Sequence, residues 1–160
     1  MPELPEVHAL AADLGARLVG RTVARLDIVA FAALKTFDPP TSALHGQSIG
    51  AVTRHGKFLD IAVGELHLAI HLARAGWIRW REAAPQGAVR PGKTPLAARL
   101  VLDDGSGIAK GSGFDVTEAG TKKSLAIHIV RSPRDVPGIA RLGPDPLSET
   151  FTIQEFVGIL

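Results

Sequence analysis

The feature that most constrains the fold is a period of two in the apolar residues, in short runs separated by glycine-containing turns. In residues 58–63, Leu59, Ile61 and Val63 stand at every second position, and residues 65–73 ("ELHLAIHLA") continue the pattern after a turn at Gly64. This period places alternate side chains on one face of a β-strand. The pattern predicts adjacent strands that each bury one face.

Further runs extend the series of strands. Residues 76–83 ("GWIRWREA"), 97–107 ("AARLVLDDGSG") and 124–130 ("SLAIHIV") have similar compositions, and in residues 22–28 the pattern places Ala24, Leu26 and Ile28 on one face. Many short strands joined by turns favour a sandwich or barrel. We therefore expect a mainly β chain with flanking helices (α+β), built on an antiparallel β-sandwich.

One helix precedes these strands. Apolar residues recur at helical spacing at Val7, Leu10, Ala11, Leu14 and Leu18. Pro5 suits the first turn of a helix, and Gly20 suits its end. The spacing predicts an N-terminal helix of about four turns.

Size and composition limit the architecture. The chain has 160 residues, of which 46% are hydrophobic, so it can bury one substantial core. It has no cysteine, which excludes disulfides, thiol nucleophiles and cysteine-ligated zinc. A formal net charge of +2 permits nucleic-acid binding without requiring it.

The last twenty residues depart from the strand pattern. Residues 141–160 ("RLGPDPLSETFTIQEFVGIL") begin with a Gly-Pro turn and then resemble the start of an apolar helix. We expect a sandwich domain over residues 1–140, followed over residues 141–160 by a linker and the truncated start of a helical domain. The alternative is a short terminal helix that docks on the sandwich.

Four motifs carry a family resemblance. They are, in chain order, "MPELPEV" (1–7), "HGKFLDI" (55–61), "HLARAGW" (71–77) and "LGPDPL" (142–147). In order and spacing they resemble the formamidopyrimidine-DNA glycosylase and endonuclease VIII family, from residue 1 to about residue 160. The resemblance implies bifunctional base-excision repair: removal of an oxidised base from DNA, then cleavage of the strand at the abasic site. It also implies that residues 141–160 begin a helix-two-turn-helix domain.

The resemblance assigns chemistry to the first motif. Removal of Met1 would leave Pro2 with a secondary amine that can attack the anomeric carbon of the sugar and form an iminium ion. An α-amino group with a pKa near 8 is roughly 10% free base at pH 7, whereas an ordinary lysine is below about 0.1%. Glu3 would be the general acid and base. As alternatives, Pro2 is an ordinary neighbour of the initiator and Glu3 stabilises the helix dipole.

The next two motifs supply predicted DNA contacts. Lys57 matches the family lysine that reaches a phosphate beside the lesion, and we group it with the catalytic residues Pro2 and Glu3. His71 matches a position near the DNA backbone; its alternative is a half-buried histidine with protein partners. We expect no metal site, because four residues of strand would separate His67 from His71 by about 13 Å.

Two departures from the family pattern concern DNA opening. Arg74 stands where the family usually has a methionine that fills the gap left by an extruded base. The usual Asp-Pro-Arg-Arg-Phe-Gly segment is missing. Lys122 and Lys123 stand near the position of its arginines, without an aromatic residue. We expect Arg74, Lys122 and Lys123 to bind DNA.

These observations predict a bacterial, intracellular, nucleoid-associated monomer that acts on double-stranded DNA containing an oxidised base or an abasic site. No membrane contact and no cofactor are expected for this chain, and zinc is possible only in a C-terminal finger outside it. One alternative is a non-catalytic family member that binds damaged DNA or a repair partner. Another is a small-molecule tautomerase that uses the N-terminal proline as its base.

Overall fold

The structure is a computed structural model that describes residues 3–82, 95–103 and 112–142. Pro2 and most of the predicted C-terminal helical start therefore lie outside the described residues. The predicted division into residues 1–140 and 141–160 stays a prediction.

The N-terminal helix α1 spans Leu4–Leu18. Its buried residues are Val7, Ala11, Leu14 and Leu18, which share one face because they are three or four positions apart. Glu3 is the N-cap residue, and the chain leaves the helix through Gly20 at a φ of 87°. The predicted helix is confirmed.

The strands form two antiparallel four-stranded sheets. Their bounds are β1 Thr22–Ile28, β2 Ile49–His55, β3 Phe58–Val63, β4 Leu66–His71, β5 Gly76–Arg81, β6 Leu96–Asp103, β7 Gly113–Glu118 and β8 Ala126–Val130. One sheet has the order β1-β6-β7-β5, and the other has the order β2-β3-β4-β8. Together with α1 they confirm the predicted mainly β sandwich.

The main core lies between the sheets and under α1. Phe114, Leu59 and Leu100 are each 0% exposed, and they come from strands of both sheets. On α1, Gly15 lies over β2, where an added Cβ would stand 3.8 Å from Val52 Cβ. The helix thus covers the core beside the first strand of its sheet.

The predicted alternation of buried residues in β1, with Ala24 and Leu26 on one face, is wrong at its start, because Val23 is buried instead of Ala24. Val23 is 0% exposed and Leu26 is 5% exposed, whereas Ala24 is only partly buried. The cause is a shift in the pairing of β1 with β6 between Val23 and Arg25, which leaves Ala24 as an extra residue. A bulge of this kind reverses the alternation of faces.

A second, smaller apolar cluster covers the outer face of β4 and β8. It contains Ala69, Val130, Val136 and Ile139, with Phe58 packed against it. The last two of the four belong to the C-terminal end of the described chain, where α2 spans Pro137–Ala140. This segment explains why Ala69 is buried although it points away from the main core.

Within the described ranges, no helix is long and apolar enough to cross a membrane.

Candidate nucleic-acid interface and active site

Strand register brings three connections to one end of the sandwich. Phe58 at the start of β3 pairs with His71 at the end of β4, and His71 pairs with Ala126 at the start of β8. In the other sheet, Gly76 at the start of β5 pairs with Glu118 at the end of β7. The β2–β3 turn, the β4–β5 turn and the β7–β8 connection therefore meet at this end.

The start of α1 lies at the same end. Glu3 Oε2 is 4.0 Å from Lys57 Nζ of the β2–β3 turn, and both side chains reach solvent, with exposures of 66% and 32%. The two residues that the sequence assigned to proton transfer and phosphate binding are therefore neighbours. Pro2, which is covalently joined to Glu3, lies outside the described residues.

Glu6 has a different role from Glu3. Its Oε1 accepts a hydrogen bond from the Glu3 backbone N–H at 3.3 Å, so the two glutamates occupy the N-cap and N3 positions of a capping box. Such a box satisfies backbone donors that the first helical turn leaves unpaired. Glu6 therefore fixes the backbone from which the Glu3 side chain projects.

Lys57 projects from a tight turn. Gly56 has a φ of 58°, and its carbonyl accepts a hydrogen bond of 2.9 Å from Arg54 Nη1. An added Cβ at Gly56 would lie 3.0 Å from Leu142 Cδ2. The end of the described chain thus packs directly against the turn that presents Lys57.

His71 is held in one orientation and one tautomer. Its Nδ1 accepts a hydrogen bond of 3.0 Å from the backbone N–H of Ala73, and its ring makes an edge contact with Phe58 at 4.7 Å between centroids. Burial lowers the pKa of His71, and the positive charge of Lys57 lowers it further. Because Nδ1 is the acceptor, the neutral ring carries its proton on Nε2 and can donate it to a phosphate oxygen.

Arg74 stands at the tip of the β4–β5 turn. Ala73 has a φ of 57°, a left-handed conformation that directs the chain around the turn, and the Gly76 N–H closes the turn on Leu72 O at 2.9 Å. A Cβ on Gly76 would lie 2.2 Å from Leu72 O, so only glycine fits there. Arg74 itself is exposed, with no hydrogen bond or ion pair to any described residue.

The two predicted lysines of the β7–β8 connection differ. Lys123 Nζ donates a hydrogen bond of 2.5 Å to the Glu118 carbonyl. Lys122 is exposed and has no such partner among the described residues. The structure thus brings Glu3, Lys57, His71, Arg74 and Lys122 to one end, while it ties Lys123 to the protein.

Sequence reasoning missed two buried acidic residues. Asp60 accepts hydrogen bonds from His55 Nε2 at 2.9 Å and His67 Nδ1 at 2.8 Å. Burial raises the pKa of Asp60, but the two hydrogen bonds and the electrostatic attraction of His67 and His55 together bring it below its usual value. The signal was a lone acid within the apolar run of β3. His67 is thereby hydrogen-bonded to Asp60, and in the described ranges no group of three His, Asp or Glu side chains could hold a metal ion.

The second is Glu118, which is 4% exposed. Its Oε2 accepts hydrogen bonds from the backbone N–H groups of Ser124 and Leu125, each at 2.8 Å. No feature of the sequence distinguishes it from a solvated glutamate at the end of a strand.

Comparisons with known proteins agree with this architecture. The sequence profile of the formamidopyrimidine-DNA glycosylase N-terminal domain matches residues 1–110. The formamidopyrimidine-DNA glycosylase of Heliobacterium modesticaldum is 34% identical over 98% of this chain and 54% of its own length. That of Symbiobacterium thermophilum is 32% identical over 96% of this chain and 48% of its own length. The chain spans about half the length of the curated relatives it matches.

Solved structures show the same fold. The Lactococcus lactis enzyme bound non-covalently to DNA containing an abasic site has a TM-score of 0.70 and 22% identity, over 96% of this chain and 54% of that chain. The Lactococcus lactis protein with DNA containing a formamidopyrimidine has a TM-score of 0.73 and 22% identity, over 98% of this chain and 56% of that chain. From the profile match over most of its length, the chain belongs to the family of formamidopyrimidine-DNA glycosylase N-terminal domains.

Proposed function

We propose that the protein containing this chain removes oxidised bases from double-stranded DNA and cleaves the strand at the resulting abasic site. The observation that carries the proposal is the meeting of Glu3, Lys57, His71 and Arg74 at one end of the sandwich, next to the covalent position of Pro2. The names of the relatives and the DNA in the Lactococcus lactis structures support the same substrate class.

The proposed chemistry begins with the Pro2 amine, after removal of Met1. The nitrogen lone pair attacks C1′ of the damaged nucleotide, and the bond from C1′ to the base breaks. The base leaves with the bonding pair and takes up the proton that the newly bonded nitrogen loses. Glu3 then protonates the ring oxygen O4′ as the bond between C1′ and O4′ breaks, which gives an iminium ion. Loss of a proton from C2′ expels the 3′ phosphate, and a second elimination expels the 5′ phosphate.

Lys57 and His71 are proposed to hold the DNA while this happens. The Lys57 ammonium offers a charge-assisted hydrogen bond to a phosphate next to the lesion, and the His71 Nε2–H offers a neutral one. Arg74 and Lys122 are exposed cations that suit phosphate contacts or the gap in the base stack. Lys123 is proposed only as a support for its own loop.

The test is product analysis with the full-length, Met-processed protein on a duplex that carries one oxidised purine or one abasic site. The proposal expects release of the base and single-strand cuts that leave phosphate at both ends. Intact duplex under enzyme excess would contradict it. We infer an intracellular location with the nucleoid from the substrate, action as a monomer, and no cofactor for the chemistry in this chain.

A second candidate is a family member that binds damaged DNA or a repair partner without catalysis. The observation that favours it is that residues 119–125 contain no aromatic side chain where the family carries its arginine-phenylalanine segment. This candidate predicts preferential binding to an abasic-site duplex without strand cleavage. Turnover on that duplex would exclude it.

A further inference from the structure

Glu118 closes the β7–β8 connection with one buried carboxylate oxygen. The chain leaves β7 at Glu118 and returns to it at Ser124. The backbone N–H groups of Ser124 and Leu125 each donate a hydrogen bond of 2.8 Å to Glu118 Oε2. Five residues, 119–123, are thereby held as a closed loop. Burial of a carboxylate is costly unless hydrogen bonds compensate for the lost water, so this side chain strongly favours the closed form over an open one.

Bonds at its base join the loop to the turn that carries Arg74. Glu118 pairs with Gly76, and the Ala119 N–H donates to Ala75 O at 3.2 Å. Leu125 packs at the same place, since a Cβ on Gly76 would lie 2.7 Å from its Cδ1. The loop and the β4–β5 turn therefore form a single unit.

The unit presents three cations, one of which differs from the other two in its hydrogen bonding. Lys123 is exposed, but its Nζ donates a hydrogen bond of 2.5 Å to the Glu118 carbonyl. Lys122 and Arg74 project outward, and neither has a hydrogen bond or ion pair to a described residue. Exposed cations without acidic partners among the described residues are available to neutralise the phosphates of a polyanion such as DNA.

We propose that Glu118 is a positioning residue, which acts on DNA through Lys122 by holding residues 119–123 against the Arg74 turn. The inference rests on the proposed function. It gives Lys122 and Lys123 separate roles: Lys122 contacts a phosphate of the duplex near the opened base pair, and Lys123 helps Glu118 to close the loop. Because the loop of residues 119–123 has no aromatic side chain, its contribution to DNA binding depends on the rigid placement of Lys122.

The experiment measures the affinity of the full-length protein for a duplex with a reduced abasic-site analogue, as a function of salt. For Glu118→Ala we expect about a tenfold weaker affinity and a salt slope smaller by about one phosphate contact. For Glu118→Gln we expect affinity within about twofold of the natural protein, because the amide oxygen can accept both N–H groups. The matched control is Glu65→Ala, an exposed acid in the turn at the opposite end of the sandwich.

Lys122→Ala provides the second variant, and because the side chain is exposed it does not disturb folding. Lys122→Ala alone must reduce the salt slope by about one phosphate contact. The double variant Glu118→Ala with Lys122→Ala must lose no more DNA affinity than Glu118→Ala alone. An unchanged slope for Lys122→Ala, fully additive losses, or a Glu118→Gln variant as weak as Glu118→Ala would overturn the proposal. If Glu118→Ala does not fold, the salt slope measured for Lys122→Ala decides whether the proposal stands.

Borohydride trapping on a single-stranded abasic oligonucleotide separates this inference from the proposed function. If the natural protein is trapped on the abasic oligonucleotide but the variants keep an unaltered salt slope, only the role of Glu118 is overturned and the proposed function stands. Absence of trapping on single-stranded and duplex DNA would overturn the proposed function.

Discussion

At the scale of the residue, adjacent glutamates in the first helical turn have separate roles. Glu3 projects into solvent toward Lys57, whereas Glu6 bonds back to the Glu3 backbone. The sequence predicted Glu3 for chemistry through its place beside Pro2, with a role at the helix start as the alternative. It did not predict the capping bond, because either acid can satisfy the helix start and only the backbone geometry decides between them.

Paired substitutions test this difference. Glu3→Gln should reduce base excision by at least about 100-fold, since an amide cannot transfer a proton, and should leave the thermal midpoint nearly unchanged. Glu6→Ala should cost about 1 kcal/mol of stability and leave excision within about tenfold. Single-turnover excision and thermal unfolding of the two variants are the measurements. The reverse pattern would contradict the assignment.

Two histidines make stability depend on pH. Burial lowers the pKa of His128, with Lys35 and His71 adding to the effect, and burial with Lys57 lowers the pKa of His71. The unfolded chain, with histidine pKa values near 6.5, then binds more protons than the folded protein. Stability from these groups is fully present above about pH 6.5 and is lost as the pH falls through the lowered folded values.

Denaturant unfolding between pH 5 and pH 8 measures this effect. The free energy of unfolding should fall below about pH 6.5, and the fall should be smaller in His128→Leu. The Lys57→Met variant should move the pKa of His71 upward in an NMR titration, because it removes a nearby positive charge. A flat stability profile with an unchanged His71 titration would contradict this explanation.

At the scale of the element, apolar spacing was enough to predict α1 and six of the eight described strands, whereas β2 and β7 were not predicted. It was not enough at Ala24, where a bulge reverses the face of β1, since a bulge depends on the partner strand. The turns were recognised from their glycines, but their conformations were not. The left-handed Ala73, with its N–H on His71 Nδ1, has no sequence signature, because alanine seldom adopts that region.

The β4–β5 turn provides the test at this scale. Gly76→Ala would place a Cβ 2.2 Å from Leu72 O, so the turn must shift, and we expect a loss of about 2 kcal/mol or more. Gly50→Ala is the matched control, because a Cβ there has nothing within 4 Å, and it should change stability by no more than about 0.5 kcal/mol. Equal effects measured by chemical denaturation would contradict the account of the turn.

At the scale of the whole molecule, candidate site residues could be predicted from the sequence, but their meeting at one end of the sandwich could not. Lys57, Arg74 and Lys122 are far apart in the chain, and only the strand order and register place their turns at one end. Glu118 was missed for the same reason. Its burial depends on loop residues 124–125, which return to it only in the folded chain.

The isolated chain should bind DNA weakly, because it spans about half the length of its relatives and offers few phosphate contacts. Fluorescence titration with an abasic-site duplex should give an affinity at least about 100-fold below that of the full-length protein, with a shallow salt slope. Tight binding by the isolated chain with a steep slope would contradict this expectation.

The central claim, that the Pro2 amine is the nucleophile, is tested most directly by locating the covalent bond. The full-length, Met-processed protein is reacted with an abasic-site duplex in the presence of borohydride, digested, and analysed by mass spectrometry. We expect a single adduct on the peptide that begins with Pro2. An adduct on a lysine-containing peptide instead, or no adduct at all, would contradict it.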